Sequence, residues 1–216
     1  PNPEEKDALN IAIEKAKEIG ADLVLGTDPD CDRVGIAVKD GDDYKLFTGN
    51  QTGALLVEYI LSSKKAKGTL PENGVVIKTI VTTELAAAIA HSYGIEIMNV
   101  LTGFKYIGEK MTEFAKTGDH TYLIGFEESY GYLVGTHARD KDGVVATMLI
   151  AEMAAYYKTK GKSLYEALMD IYKKYGYYSE KTVSFVMPGK DGMEKMSQLL
   201  TDLRLSLIHI SEPTRH

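Results

Sequence analysis

The chain has 216 residues, 44% hydrophobic and 26% charged, and its 25 basic and 31 acidic side chains leave a formal net charge of −6. That length supports one or two domains with a sizeable core, and the acidic balance argues against a nucleic-acid partner, which needs clustered positive charge. The single cysteine, Cys31, excludes an intrachain disulfide framework, and with no long apolar run and no visible signal peptide a soluble, cytoplasmic protein is expected, bound to neither nucleic acid nor membrane.

In chain order, the opening PNPEEKDALNIAIEKAKEIG reads as an amphipathic helix, with Asn2 and Pro3 at its start, Glu4 and Glu5 in its first turn and Gly20 closing it. Short strands follow at 22–25 and 34–38, and KDGDD is a hairpin signal leading into a returning strand at 44–47. Thr48, Gly49 and Asn50 open a helix over 50–62, and KAKGTLPENG is a surface loop. From there strands at 75–80, 95–100 and 122–125 alternate with helices at 83–92, 106–116 and 142–160, and one more helix spans 163–175. The alternation predicts an α/β fold, a mixed, mainly parallel sheet flanked by helices, with a domain boundary near residues 47–50. The stretch after Tyr175 holds a strand and one amphipathic helix, too little for a further domain.

Asp28, Asp30 and Asp32 stand at alternate positions after the first predicted strand, where open α/β sheets place ligands. In extended or looping backbone such side chains fall on one face. Crowded carboxylates repel and raise one another's pKa, and a cation is the obvious offset. Oxygen-only ligation favours a hard ion, Mg²⁺ first, with open positions for water and a phosphate. Arg33, next in sequence, can grip a carboxylate or phosphate in bidentate fashion. An EF-hand is excluded because Arg33 and Lys39 occupy the positions that need Gly and Glu. An acidic surface loop, or a phosphatase with Asp28 as nucleophile, remains open.

Two more constellations follow strands. In LTGFKYIGEK, Thr102 and Gly103 sit where backbone amides can meet an anion or hydroxyl, with Lys105 close by; a plain helix cap is the alternative. In GFEESYGYLVGTHARDKDG, Glu127, Glu128 and Ser129 are paired acids with a hydroxyl, a set suited to sugar hydroxyls. Arg139 or Lys141 suits a phosphate if it faces a cleft, although a salt-bridged helix start capped by Asp142 explains them as well.

In order, TDPDCDRVG, GNQTG, TGFKYIGEK, GFEESYG and RDKDG resemble the α-D-phosphohexomutase superfamily, in its phosphoglucomutase and phosphomannomutase branch, over about residues 1–190. The resemblance implies a multi-domain enzyme that moves a phosphoryl group between O1 and O6 of a hexose through a phosphoserine and a bisphosphate intermediate. It implies Mg²⁺ on Asp28, Asp30 and Asp32, and catalytic roles for Arg33 and Lys141. Substrate binding falls to Thr102, Gly103, Lys105, Glu127, Ser129 and Arg139. The partner implied is a phosphorylated sugar, glucose 1- or 6-phosphate before mannose or pentose phosphates, and the intact protein is expected to be a monomer. A non-catalytic Mg²⁺-dependent phosphosugar-binding module is the alternative. The family's Ser-His-Asn phosphoserine loop does not occur in this chain, so the chain alone is expected to be inactive.

On this resemblance residues 1–48 are expected to be the end of a second domain with the metal loop, 49–176 a third domain with the sugar loop, and 177–204 a linker toward a fourth. Residues 205–216 carry LSLIHISEPTR, which resembles the translation of a transposase adapter used in sequencing libraries, and are expected to be a non-native tail.

Overall fold

The computed structural model describes residues 2–181 and 187–210. It divides into two compact units, Pro1–Tyr178 and Ser179–His216.

The first unit opens with α1 (Lys6–Ile19), which ends where Gly20 takes a left-handed φ of 68° and its amide returns to the Ala16 carbonyl. Then β1 (Leu23–Thr27), β2 (Val34–Asp40) and β3 (Asp43–Phe47) form an antiparallel sheet in that order. The expected hairpin is present: Asp40 pairs with Asp43 across a two-residue Gly41-Asp42 turn, and Gly41 supplies the positive φ of 62° that such a turn needs. β2 alternates as a strand between two layers must. Val34, Ile36 and Val38 enter the main core, while Ala37 joins Leu9, Ala16, Val24 and Tyr44 beneath α1.

Helix α2 (Gly49–Ala66) starts on a capping box between Thr48 and Gln51. It runs to Ala66, beyond the expected end at 62, because Ser62, Ser63, Lys64 and Lys65 present no breaker before Gly68. Next come β4 (Gly74–Thr79), α3 (Leu85–Ser92), β5 (Glu96–Val100), α4 (Phe104–Thr117), β6 (Thr121–Phe126) and β7 (Tyr132–Val134). These strands make a second sheet in the order β5-β4-β6-β7, with β5, β4 and β6 parallel and β7 antiparallel to β6. β7 lay outside the sequence expectation, since Tyr-Leu-Val is too short to show a period. α5 (Gly143–Thr159) is capped by the Asp142 side chain, which accepts from the Val144 and Val145 amides, and α6 (Leu164–Tyr175) by a Ser163–Glu166 capping box.

All six residues of β4 are buried. On one face of this sheet Val76, Ile124 and Phe126 pack with α2, α3, α5 and α6; on the other, Val75 and Ile77 meet Phe104, Ile107, Met111 and Phe114, all from α4. The result is three layers, helix on sheet on helix, with both sheets feeding one core. The mainly parallel α/β arrangement expected from the sequence is therefore present, joined to an antiparallel sheet. From β4 the chain steps to β5 on one side and then crosses back to β6 on the other. Ligands of open α/β sheets bind at the carboxyl ends of strands at such a switch.

In the second unit, α7 (Gly189–Ile210) takes in Leu205–Ile210. The strand expected after Tyr175 falls largely on residues 182–186, outside the described residues, as do residues 211–216. Among the described residues no helix is long and apolar enough to cross a membrane.

Gly53 in α2 tests the packing. A Cβ there would stand 2.1 Å from the Phe126 ring. Helix propensity alone favours Gly53→Ala by about 1 kcal/mol, but overpacking against a buried ring costs about 1–3 kcal/mol. Urea unfolding should show net destabilisation; a gain in stability would refute this packing account.

Candidate functional site

The three aspartates occupy the turn between β1 and β2. Asp28 is buried, Asp30 exposed and Asp32 half-buried. One carboxylate oxygen from each lies within 4.8 Å of the others, so the set fits a hard cation with three oxygen ligands. The turn is shaped by Asp28 itself. Its Oδ1 accepts from the amides of Asp32 at 3.1 Å and Arg33 at 3.0 Å, and its Oδ2 from Arg33 Nε at 2.8 Å. Burial pushes the Asp28 carboxyl up, but hydrogen bonds from the Arg33 amide, the Arg33 guanidinium and Asp32 outweigh it and hold the group well below the usual carboxylate range. Asp32 is pushed up by burial and by Asp28, against the pull of Lys141. Asp28 is thus no solvent-facing member of an acidic loop, and a carboxylate this buried and this heavily bonded is poorly placed to act as a nucleophile.

Arg33 does grip carboxylates, but those of its own chain: besides Asp28, its Nη1 reaches Glu4 Oε1 at 3.0 Å. In the sequence Glu4 reads only as a helix-start residue. Its sequence distance from Arg33 hides the pairing.

The aspartate turn meets the turn before α5. The Gly143 amide donates to the Cys31 carbonyl at 3.0 Å, and Arg33 forms a bridge with Gly131. Lys141 Nζ lies 3.2 Å from Asp32 Oδ2 and 3.1 Å from Asp140 Oδ1. Burial works to lower its pKa, but the bonds to Asp140 and Asp32 outweigh this and raise it, so the ammonium stays charged. Its stem crosses Gly131, where a Cβ would stand 2.2 Å from Lys141 Cδ. Asp30, Asp32, Lys105, Arg139 and Lys141 line one cleft of about 890 Å³. Arg139 donates through Nη1 to the Thr136 and Ala138 carbonyls of its own loop and through Nε to the Thr112 hydroxyl on α4.

A second group lies at the carboxyl ends of β4, β5 and β6. Glu127 Oε1 accepts from the Gly103 amide at 2.9 Å. The amide expected to meet a ligand is therefore taken by a neighbouring candidate residue. Glu128 Oε2 accepts from Thr79 and Thr82, each at 3.1 Å. Thr102 is exposed at the end of β5, and Ser129 is half-buried in the turn after β6. Thr102, Gly103, Glu127 and Ser129 do not line the cleft above Lys105. Cys31, with φ 57°, and Tyr130, with φ 67°, are the two non-glycine residues at positive φ among those described. Both sit in these turns, where strain of this kind tends to cluster.

One residue here escaped the sequence reading. Lys78 near the end of β4 has no exposed surface, and its Nζ bonds the Thr82 carbonyl at 3.0 Å and Glu84 Oε1 at 2.8 Å. Burying an ammonium is costly unless it is fully bonded. A lysine inside the apolar run VVIKTIV was the available signal.

Glu127 gives a pH test. Burial pushes its pKa above the ordinary 4.5, with the Gly103 amide and Lys141 opposing and Glu128 and Asp140 adding to the rise. A raised folded-state pKa means that the stability carried by the protonated group is complete below the unfolded value and is lost as pH rises through the folded one. Glu127→Gln should remove that loss, so its stability relative to the parent should grow from acid to neutral pH in urea melts. A flat or falling difference would contradict the burial argument.

The phosphoglucomutase/phosphomannomutase alpha/beta/alpha domain III model matches residues 48–175, and the domain II model matches residues 1–41. Among curated proteins, the phosphoglucomutase of Staphylococcus haemolyticus (strain JCSC1435) is 36% identical over 208 residues, covering 95% of this chain and 37% of the relative. That of Staphylococcus aureus (strain bovine RF122 / ET3-1) is 38% identical over 205 residues, covering 94% and 36%. The chain thus spans little more than a third of the length of the relatives it matches. Among solved structures, a Thermus thermophilus protein assigned as a phosphomannomutase aligns with a TM-score of 0.63 at 25% identity, over 80% of this chain and 36% of that one. A phosphoglucomutase/phosphomannomutase family protein from Burkholderia thailandensis shares the fold, with a TM-score of 0.60 at 21% identity over 79% of this chain and 33% of that one. By the family model that covers most of its length and by relatives more than a third identical over nearly all of it, the chain belongs to the phosphoglucomutase/phosphomannomutase family.

Proposed function

We propose that these residues form the metal-binding and sugar-recognising parts of a phosphohexomutase that interconverts hexose 1-phosphate and hexose 6-phosphate, glucose phosphates first. The observation that carries the reading is the meeting of Asp32 and Lys141 at 3.2 Å, which joins an oxygen-donor cluster to a cation beside one cleft. In this reading residues 1–48 end one domain and 49–176 make the next. The protein acts on phosphorylated sugars as a soluble cytoplasmic enzyme.

Asp28, Asp30 and Asp32 would hold Mg²⁺, which when bound offsets charge on the phosphoryl group in transfer. Arg33 keeps Asp28 ionised and aimed. Lys141 adds a fixed positive charge on the cleft wall, where it can steady the transferring oxygens. Lys105 and Arg139 lie on the same wall and favour a second phosphate. Glu127, through the oxygen not bonded to the Gly103 amide, and Ser129, through its hydroxyl, would meet the sugar's own hydroxyls, and a loop that accepts two sugar orientations serves both half-reactions. The phosphoserine donor that this chemistry uses does not come from these residues.

Two measurements test the proposal. Mn²⁺, as a paramagnetic stand-in, should broaden the amide resonances of Asp28 to Arg33 first, and Asp30→Asn with Asp32→Asn should abolish the effect. Broadening centred elsewhere would remove the metal assignment. In a coupled assay on glucose 1-phosphate, the 216-residue chain should show no turnover. Activity of the chain alone would overturn the claim that the donor lies outside it.

A further inference from the structure

Glu128 lies between the two residues assigned to the sugar, yet it points elsewhere. Its Oε2 accepts from the hydroxyls of Thr79 and Thr82, which lie 2.6 Å from each other. Both threonines are buried at the end of β4. The same short segment holds Lys78, whose Nζ reaches the carbonyls of Thr79 at 3.4 Å and Thr82 at 3.0 Å. On its other side the Glu128 carbonyl rests on the start of α2, where a Cβ at Gly49 would stand 2.0 Å from it. The turn is therefore gripped at Glu128 from two directions, by side chain and by backbone.

The neighbours depend on that grip. Glu127 bonds the Gly103 amide, and the Ser129 hydroxyl has no partner among the described residues. Tyr130 follows at a φ of 67°, a conformation that persists only when its surroundings impose it. The Glu127 amide closes the turn onto the Gly131 carbonyl at 2.9 Å.

We propose that Glu128 is a positioning residue: through Thr79 and Thr82 it fixes the 127–131 turn to the Lys78 segment of β4 and so sets where Glu127 and Ser129 stand. The sugar-facing part of this inference rests on the phosphohexomutase reading; the mechanical part does not. Glu128 touches no substrate in this account. A Gln keeps an acceptor oxygen for the two hydroxyls, whereas an Ala removes it and leaves two buried donors to share one another.

The test uses the 216-residue chain, with amide NMR and with glucose 1-phosphate as the probe. Glu128→Ala should shift the Gly103 and Ser129 amide resonances by more than their linewidths and weaken glucose 1-phosphate binding about ten-fold. Glu128→Gln should restore both. Adding Thr79→Val and Thr82→Val to Glu128→Ala should change neither further, as expected of groups acting in one network. Should Glu128→Ala not fold, the two valine substitutions on their own must produce the same shifts. A residue that merely adds stability would lower the melting temperature and leave the Gly103 amide in place; that result, or additive effects, overturns the proposal. If the parent chain binds no glucose 1-phosphate while the Gly103 amide still answers to Glu128→Ala, the sugar reading fails and the positioning role stands.

Discussion

Where the Gly143 amide meets the Cys31 carbonyl at 3.0 Å, two turns from two different sheets become one surface. Neither turn is a site by itself. The aspartate turn holds acids with no cation except Arg33, and the turn before α5 holds a lysine paired with Asp140. Only the close backbone approach brings Lys141 to Asp32. Gly143 and Gly131 permit it, because a Cβ at either would collide, with the Cys31 carbonyl or with the Lys141 stem.

The charge balance at that junction changes how the crowded aspartates are understood. Like charges in a row call for compensation, and a metal is one way to supply it. The protein supplies another: Arg33 sits against Asp28, Lys141 against Asp32, and backbone amides against Asp28. These contacts shape the turn. A cation bound there would compete with Lys141 and Arg33 for the same carboxylates, so its net gain would be less than bare repulsion suggests.

How much was legible depended on the range of each interaction. The alternation of strand and helix, the Gly41-Asp42 hairpin, the Asp142 cap and the spacing of the three aspartates are local, and local pattern finds them. β7 is too short to carry a period. The pairing of Arg33 with Glu4, the use of the Gly103 amide by Glu127, and the employment of Glu128 by Thr79 and Thr82 all join residues far apart in sequence. No spacing rule announces them. On residue type alone Glu127, Glu128 and Ser129 are simply polar residues after a strand, and it is the resemblance that singles out Glu127 and Ser129. Only the structure separates Glu127, buried on the Gly103 amide, from Glu128, held by Thr79 and Thr82, and from Ser129.

The meeting of Asp32 and Lys141 also bears on how the chain reaches its native state. The two residues are separated by about a hundred positions, and contacts of such high sequence separation form late because loop closure must precede them. Within the second sheet's own turn Lys141 has Asp140; its contact with Asp32 needs the first sheet as well. The Asp32–Lys141 pair thus depends on both sheets being in place at once.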